Sequence, residues 1–146
     1  MGKIAYDEKS CGTVLFTGRG DSLRFLLIRS AADGKSGFPK GHVESGESEV
    51  DTALRETWEE TSLHAKIIDG FRRTACYPLK NGRRKLVVYF IASYEGEEPR
   101  SNPDFESYEF LSLPYAEARR TLTFDNAKEL LDEAYEYLKA LGYLEK

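Results

Sequence analysis

Glu47, Arg55, Glu56, Glu59 and Glu60 concentrate charge in one stretch, Gly37 to Leu63, which runs from a glycine-rich loop into a segment loaded with carboxylates. On a helix, Glu56 and Glu60 form an i,i+4 like-charge pair and Glu56 and Glu59 an i,i+3 pair, each costing roughly 0.2–0.5 kcal/mol when nothing neutralises it. Glu59 and Glu60 would also sit in the last helical turn, where the helix dipole favours cations. Arg55 can pair with Glu59 at i+4, but one guanidinium cannot neutralise Glu47, Glu56, Glu59 and Glu60 together. An oxygen-only ligand set of this kind suits magnesium or manganese, with water and substrate phosphates completing the shell. On charge alone, a solvated acidic face is the commoner explanation.

The element that must carry these groups is a helix from about Ser48 to Thr61. Ser48 is a good N-cap, Asp51 completes a capping-box pattern, and Ala53, Leu54 and Arg55 are good helix formers. At about 100° per residue, Glu56, Glu59 and Glu60 share a face with Thr52, and Val50, Ala53, Leu54, Thr57 and Thr61 form the packing face. Ahead of the helix, Pro39 fixes φ and Gly41 permits an unusual backbone angle, so a stiff bend presents Lys40 and His42. Lys40 is a candidate phosphate contact and His42 a candidate site-lining residue.

The spacing of Gly41, Glu47, Arg55, Glu56, Glu59 and Glu60 is Gly-x5-Glu-x7-Arg-Glu-x-x-Glu-Glu, which resembles the signature of the Nudix hydrolases. A motif with this many fixed positions, in a loop-then-helix context, is far more specific than a lone glycine pattern. Thr57 stands where the family usually has an aliphatic residue, and Ser62 where it usually has glycine. The resemblance implies a mixed β-sheet sandwiched between helices and hydrolysis of a nucleoside diphosphate linked to another moiety, by metal-assisted attack of water on phosphorus. It places the metal, magnesium or else manganese, on Glu56, Glu59 and Glu60, and gives Arg55 the task of orienting Glu59 or Glu47. The general base stays open between Glu56 and Asp104, with Glu106 a further possibility. FPKGHVE, TALRET, GFRR, Tyr77 and Lys85 look most like the asymmetrically cleaving diadenosine tetraphosphate hydrolases within that family. That subgroup implies lysine contacts to polyphosphate and aromatic stacking on adenine, with Tyr77 as one wall and Phe124 or Phe105 as the other. RNA 5′-pyrophosphohydrolases, hydrolases of nucleoside triphosphates or diphosphoinositol polyphosphates, and a nucleotide-binding module without activity are the competing readings.

The remaining chain reads as scaffold for this stretch. At 146 residues, 40% hydrophobic and 32% charged, it suits one globular domain spanning residues 1–146. The N-terminus MGKIAYDEKS lacks an apolar leader and no apolar run approaches membrane-spanning length, so a cytoplasmic protein with a small-molecule nucleotide as partner is expected. A net charge of −4 argues against an extended nucleic-acid surface. Cys11 and Cys76 show no metal-ligand spacing and read as free, buried thiols.

Gly12 to Thr17 and Leu23 to Arg29 read as a hairpin, with Arg29 either solvated or reaching a phosphate, and residues 31–40 as loop. Ala65 to Tyr77 and Lys85 to Tyr94 read as two long strands joined at Asn81-Gly82, a dipeptide that favours a type I′ turn. Lys85 begins the second of these and could point into a phosphate-binding cleft. A strand from Tyr108 to Leu113 follows an acidic loop, and Pro114 opens a short helix. A longer helix, capped by Thr123 or Asp125, ends near Gly142. Its stripe of Ala127, Leu130, Leu131, Ala134, Leu138 and Leu141 predicts core packing and no function. The fold class expected from this order is α+β.

Overall fold

The computed structural model describes residues 6–145; the part of the leader reading that rests on residues 1–5 lies outside them. In chain order come strands β1 (Glu8–Thr17) and β2 (Arg24–Ser30), the short strands β3 (Ser36–Gly37) and β4 (Lys40–His42), and helix α1 (Glu49–Thr61). Then follow β5 (Lys66–Pro78), β6 (Arg84–Ser93), β7 (Tyr108–Leu113), α2 (Tyr115–Thr121) and α3 (Asp125–Ala140). The seven strands form one sheet in the order β3-β2-β1-β6-β5, with β4 also pairing with β1 and β7 with β2. β1 and β6 run parallel, Gly12 opposite Tyr89, and the other pairs are antiparallel, so the sheet is mixed. No helix among the described residues is long and apolar enough to cross a membrane.

Strand alternation explains why helices lie on both faces. Val14 and Phe16 of β1 point to a core shared with Leu131, Ala134 and Leu138 of α3. Cys11 points the other way, to a core with Ala53 of α1, Val88 and Phe90. Leu15 joins Leu26, Leu63 and Ala92 on that same second side. A strand buried on both faces must be apolar almost throughout, as β1 and β6 are. Ser10 and Thr13 are fully buried polar residues of β1: the Ser10 hydroxyl has no partner among the described residues, and the Thr13 hydroxyl meets that of Thr57 on α1 at 2.7 Å, Thr57 also being fully buried. That pairing accounts for threonine at a position where an aliphatic residue was expected.

Several local features differ from the sequence reading. Residues 36–42 contribute two short strands where a loop was expected, because β2 and β1 offer open edges beside them. At the β5–β6 connection only Gly82 has positive φ, at 79°, so a type I′ turn, which needs Asn81 positive too, does not form. Gly82 N donates to Leu79 O and Leu79 N to Arg83 O, the pattern of a type I turn closed by a glycine bulge. Helix α3 is capped at Phe124 without a side-chain bond, in place of Thr123 or Asp125, since Thr123 is bonded to β3 instead. Leu141 is 48% exposed, outside the stripe, because the helix has already ended at Ala140. Thr52 is fully buried, not on an exposed acidic face, and gives its hydroxyl hydrogen to Glu47. Cys76 is only half-buried, and both cysteines are free.

Helix α1 ends as its sequence demands. Ser48 Oγ accepts from Asp51 N at 3.0 Å at the start, and Ser62 takes φ 63°, the single non-glycine residue with positive φ among those described. A left-handed conformation costs a residue with a side chain roughly 1–2 kcal/mol relative to glycine. Ser62 offsets part of this by donating its hydroxyl hydrogen to Arg100 O at 3.0 Å, a bond of about 1 kcal/mol. Ser62→Gly should therefore change stability by less than about 1 kcal/mol, whereas Ser62→Ala, which keeps the strain and loses the bond, should fall below the glycine variant by about 1 kcal/mol or more in urea unfolding.

Candidate active site

Arg55 is the hub of the loop and helix. Its Nε and Nη2 donate to the two oxygens of Glu47 at 2.7 and 2.9 Å, and Nη2 also reaches the His42 carbonyl at 2.9 Å. Nη1 meets Glu56 and Glu59, each at 2.9 Å. Glu47 further accepts from Glu44 N and the Thr52 hydroxyl. These bonds, Arg55 first, hold the Glu47 carboxyl down at about 2 and the guanidinium firmly protonated. Gly41 opposes the carboxylate of Glu56, and a Cβ at that position would overlap it. The invariant need here is space for a charged group against the backbone.

One helical turn on, Glu60 lies apart from Arg55. It accepts from Lys40 N at 3.1 Å and from the Tyr108 hydroxyl at 3.4 Å. Burial, reinforced by the charge of Glu56, pushes its carboxyl up to about 8. Burial raises Glu56 as well, against the pull of Arg55.

Glu60 forms part of the wall of a pocket of about 510 Å³. Lys40 and Lys85 enter it from β4 and β6, Tyr77 from β5, Glu106 and Tyr108 from the β7 side, and Phe124 and Asn126 from the start of α3. Lys85 is pushed down by burial and then by the neighbouring Lys40, against the pull of Glu8. Tyr89 lies deep in the same cleft, and burial pushes its phenol up.

The structure thus brings together Lys40, Glu60, Tyr77, Lys85, Glu106 and Phe124, and sets Gly41, Glu47, Arg55, Glu56 and Glu59 in the network beside them. Other candidates fall elsewhere. Asp104 is exposed in a turn outside the pocket, its amide donating to Asn102. Phe105 is 43% exposed and also lies outside. The His42 ring points away to Glu8 at 3.3 Å, and only its carbonyl serves the network. Arg29 is taken by Ser36 and Glu109 rather than left for a phosphate. Tyr89, Tyr108 and Asn126 were missed; their strands and helix were legible, but no local pattern announces which face of them meets a cleft. The expectation that α3 only packs is corrected at its first turn, which forms pocket wall.

Among the described residues no three Asp, Glu, His or Cys side chains are gathered to hold a metal ion. Arg55 draws Glu56 and Glu59 to itself, while the Lys40 amide and Tyr108 hold Glu60. The donors nonetheless fit a hard dication. All are carboxylate oxygens, Gly41 leaves Glu56 room, and Glu60 is a part-buried acid with a negative neighbour that a cation would relieve.

The NUDIX domain model matches residues 8–134, and the chain belongs to the Nudix family. It is 34% identical over 143 residues to the asymmetrical bis(5′-nucleosyl)-tetraphosphatase of Mus musculus, covering 89% of this chain and 95% of the mouse protein. The Sus scrofa protein of the same name is 34% identical over 147 residues, 92% of this chain and 97% of that one. In fold, the chain matches a binary complex of the C. elegans Ap4A hydrolase with TM-score 0.82 over 92% of this chain and 99% of that one, at 24% identity.

The helix that carries the site is tied down at its first turn by Glu49, which accepts two bonds from Arg72 of β5 and pairs with Lys9 of β1 at 2.6 Å. Arg72 chiefly, and then Lys9, lower its carboxyl from 4.5 to about 2. A lowered carboxyl stabilises the folded state fully above pH 4.5 and loses that contribution as pH falls toward 2. Thermal unfolding measured from pH 7 to 2 should therefore show a smaller acid-side decline for Glu49→Gln than for wild type, from a lower melting temperature at neutral pH.

Proposed function

We propose that this protein hydrolyses a nucleoside polyphosphate by attack of water on phosphorus, and that diadenosine tetraphosphate, cleaved to ATP and AMP, is the substrate its site suits best. The observation that carries this reading is one pocket holding two ammonium groups, Lys40 and Lys85, a part-buried carboxylate, Glu60, and two aromatic walls, Tyr77 and Phe124. Two relatives that are 34% identical over nearly their whole length bear the name of that activity.

Lys40 and Lys85 bind and neutralise the phosphate chain, and their fixed places on β4 and the start of β6 orient it. Tyr77 and Phe124 take an adenine between them, stacking being worth about 1–3 kcal/mol per base. Glu56, Glu59 and Glu60 hold magnesium, or manganese in its stead; when bound, the ion neutralises charge on the phosphates and acidifies water. Arg55 is a positioning residue that sets Glu47, Glu56 and Glu59 relative to the Gly41 loop. Glu106 is the pocket carboxylate best placed to take the proton of the attacking water, with Oε2 already steadied by the Ser30 hydroxyl at 2.9 Å. Asp104 has no such access.

Product analysis tests this. Purified protein with magnesium is offered diadenosine tetraphosphate, triphosphorylated RNA and nucleoside triphosphates separately, beside Glu60→Gln. The expected result is ATP plus AMP from the dinucleotide, with turnover in the variant lower by about a hundredfold or more. Release of pyrophosphate from RNA in preference would replace the substrate assignment, and no turnover of any of them would leave a binding module as the reading.

A further inference from the structure

Tyr89 of β6 belongs to the core on the α3 side and is only 7% exposed, with its ring set edge-on to Phe38, the centroids 6.3 Å apart. It also lines the pocket, together with Lys40, Glu60, Tyr77 and Lys85. Its phenol has no hydrogen-bond partner among the described residues. The titratable groups that act on that phenol are Tyr77 and Glu60, both of them on the pocket wall. A tyrosine buried this deeply usually gives its hydroxyl hydrogen to a neighbour, because an unmatched donor forfeits its hydration.

The register of the sheet decides what stands around it. Gly12 of β1 lies opposite Tyr89 on one side and opposite Lys40 of β4 on the other, so the three form one row on the pocket face. A Cβ on Gly12 would strike Pro39 O and the Lys40 Cβ. Glycine in the middle of the row leaves no side chain standing between Lys40 and Tyr89. Along β6, Lys85 and Tyr89 face the same way with only Val87 between them on that face.

The phenol is therefore a donor without an acceptor, in a pocket whose two lysines suit a ligand that consists of acceptors. Burial pushes its titration far up, so it keeps its hydrogen. Ammonium groups on flexible stems supply charge with little direction, whereas a phenol on a ring packed against Phe38 supplies direction. We infer that Tyr89 donates its hydroxyl hydrogen to a phosphate oxygen of the bound polyphosphate and so fixes where the chain lies in the pocket. The inference rests on the polyphosphate reading of the pocket and adds a binding residue to it.

The test is calorimetric binding, in EDTA, of inorganic tripolyphosphate, which has no base, and of ATP to wild type and Tyr89→Phe. Thermal unfolding of both proteins without ligand, and hydrolysis of diadenosine tetraphosphate with magnesium, are measured in parallel. Phenylalanine keeps the ring and removes the unmatched hydroxyl, so the variant should melt at or above the wild-type temperature. It should bind tripolyphosphate and ATP about tenfold more weakly or worse, the loss expected for a hydrogen bond to a charged group. Weaker binding of ATP alone would move the phenol to the nucleoside and overturn the inference. A variant that melts well below wild type would show the hydroxyl to be matched within the fold, and would overturn it too. Equal binding of tripolyphosphate by both proteins, or none by wild type, would also overturn it. In those cases dinucleotide hydrolysis by wild type would leave the polyphosphate reading standing, and its absence would remove both.

Discussion

The grip of Arg55 on its surroundings is the interaction on which the site depends. A helix with Glu56, Glu59 and Glu60 on neighbouring positions is electrostatically unfavourable by itself, and a loop rich in glycine has no strong conformation of its own. One planar guanidinium resolves both, taking Glu47 and a main-chain carbonyl from the loop on one side and two helix carboxylates on the other. A lysine could not do this, having a single point of charge in place of a fork with fixed directions. Thr13 and Thr57 add a buried hydrogen bond that pins the same helix to the central strand.

That solution is incomplete in a useful way. Glu60 makes no bond to Arg55 and lies part-buried beside a like charge, held by a main-chain amide and a phenol. Keeping a carboxylate ionised in such a place is costly, and the divalent cation proposed above would relieve that cost. Positive charge on Lys40 and Lys85 lines the same pocket as Glu60, so the cleft carries groups of both signs.

Much of this could be read from the sequence because it is local. The helix from Ser48 to Thr61, its cap and the Arg55–Glu59 pairing all follow from spacing within one stretch, whereas Gly41 was expected to serve an unusual backbone angle and instead makes room for the Glu56 carboxylate. The order of strands and helices pointed to the α+β class, and the bounds of β2, β5, β6 and β7 were read to within a residue, whereas β1 begins at Glu8, well ahead of the Gly12 expected. What was hidden depends on contacts between distant segments. β3 and β4 are too short to carry a pattern and exist because β1 and β2 have edges to fill. Asp104 and Glu106 are indistinguishable by sequence, yet the turn ahead of β7 sends one outward and the other into the pocket. Asn81-Gly82 looked like a two-residue turn, but Asn81 stays at negative φ and the glycine forms a bulge.

The claim at the centre of this account is that the acidic face of α1 binds a divalent cation. Titration of manganese into the protein, followed by loss of the free-ion electron paramagnetic resonance signal, tests it most directly, with Glu60→Gln and Glu56→Gln run beside wild type. The account predicts saturable binding by wild type that is competed by magnesium and weakened at least tenfold in each variant, a loss of about 1.4 kcal/mol or more. Binding of equal strength in all three proteins, or none in wild type, would contradict it.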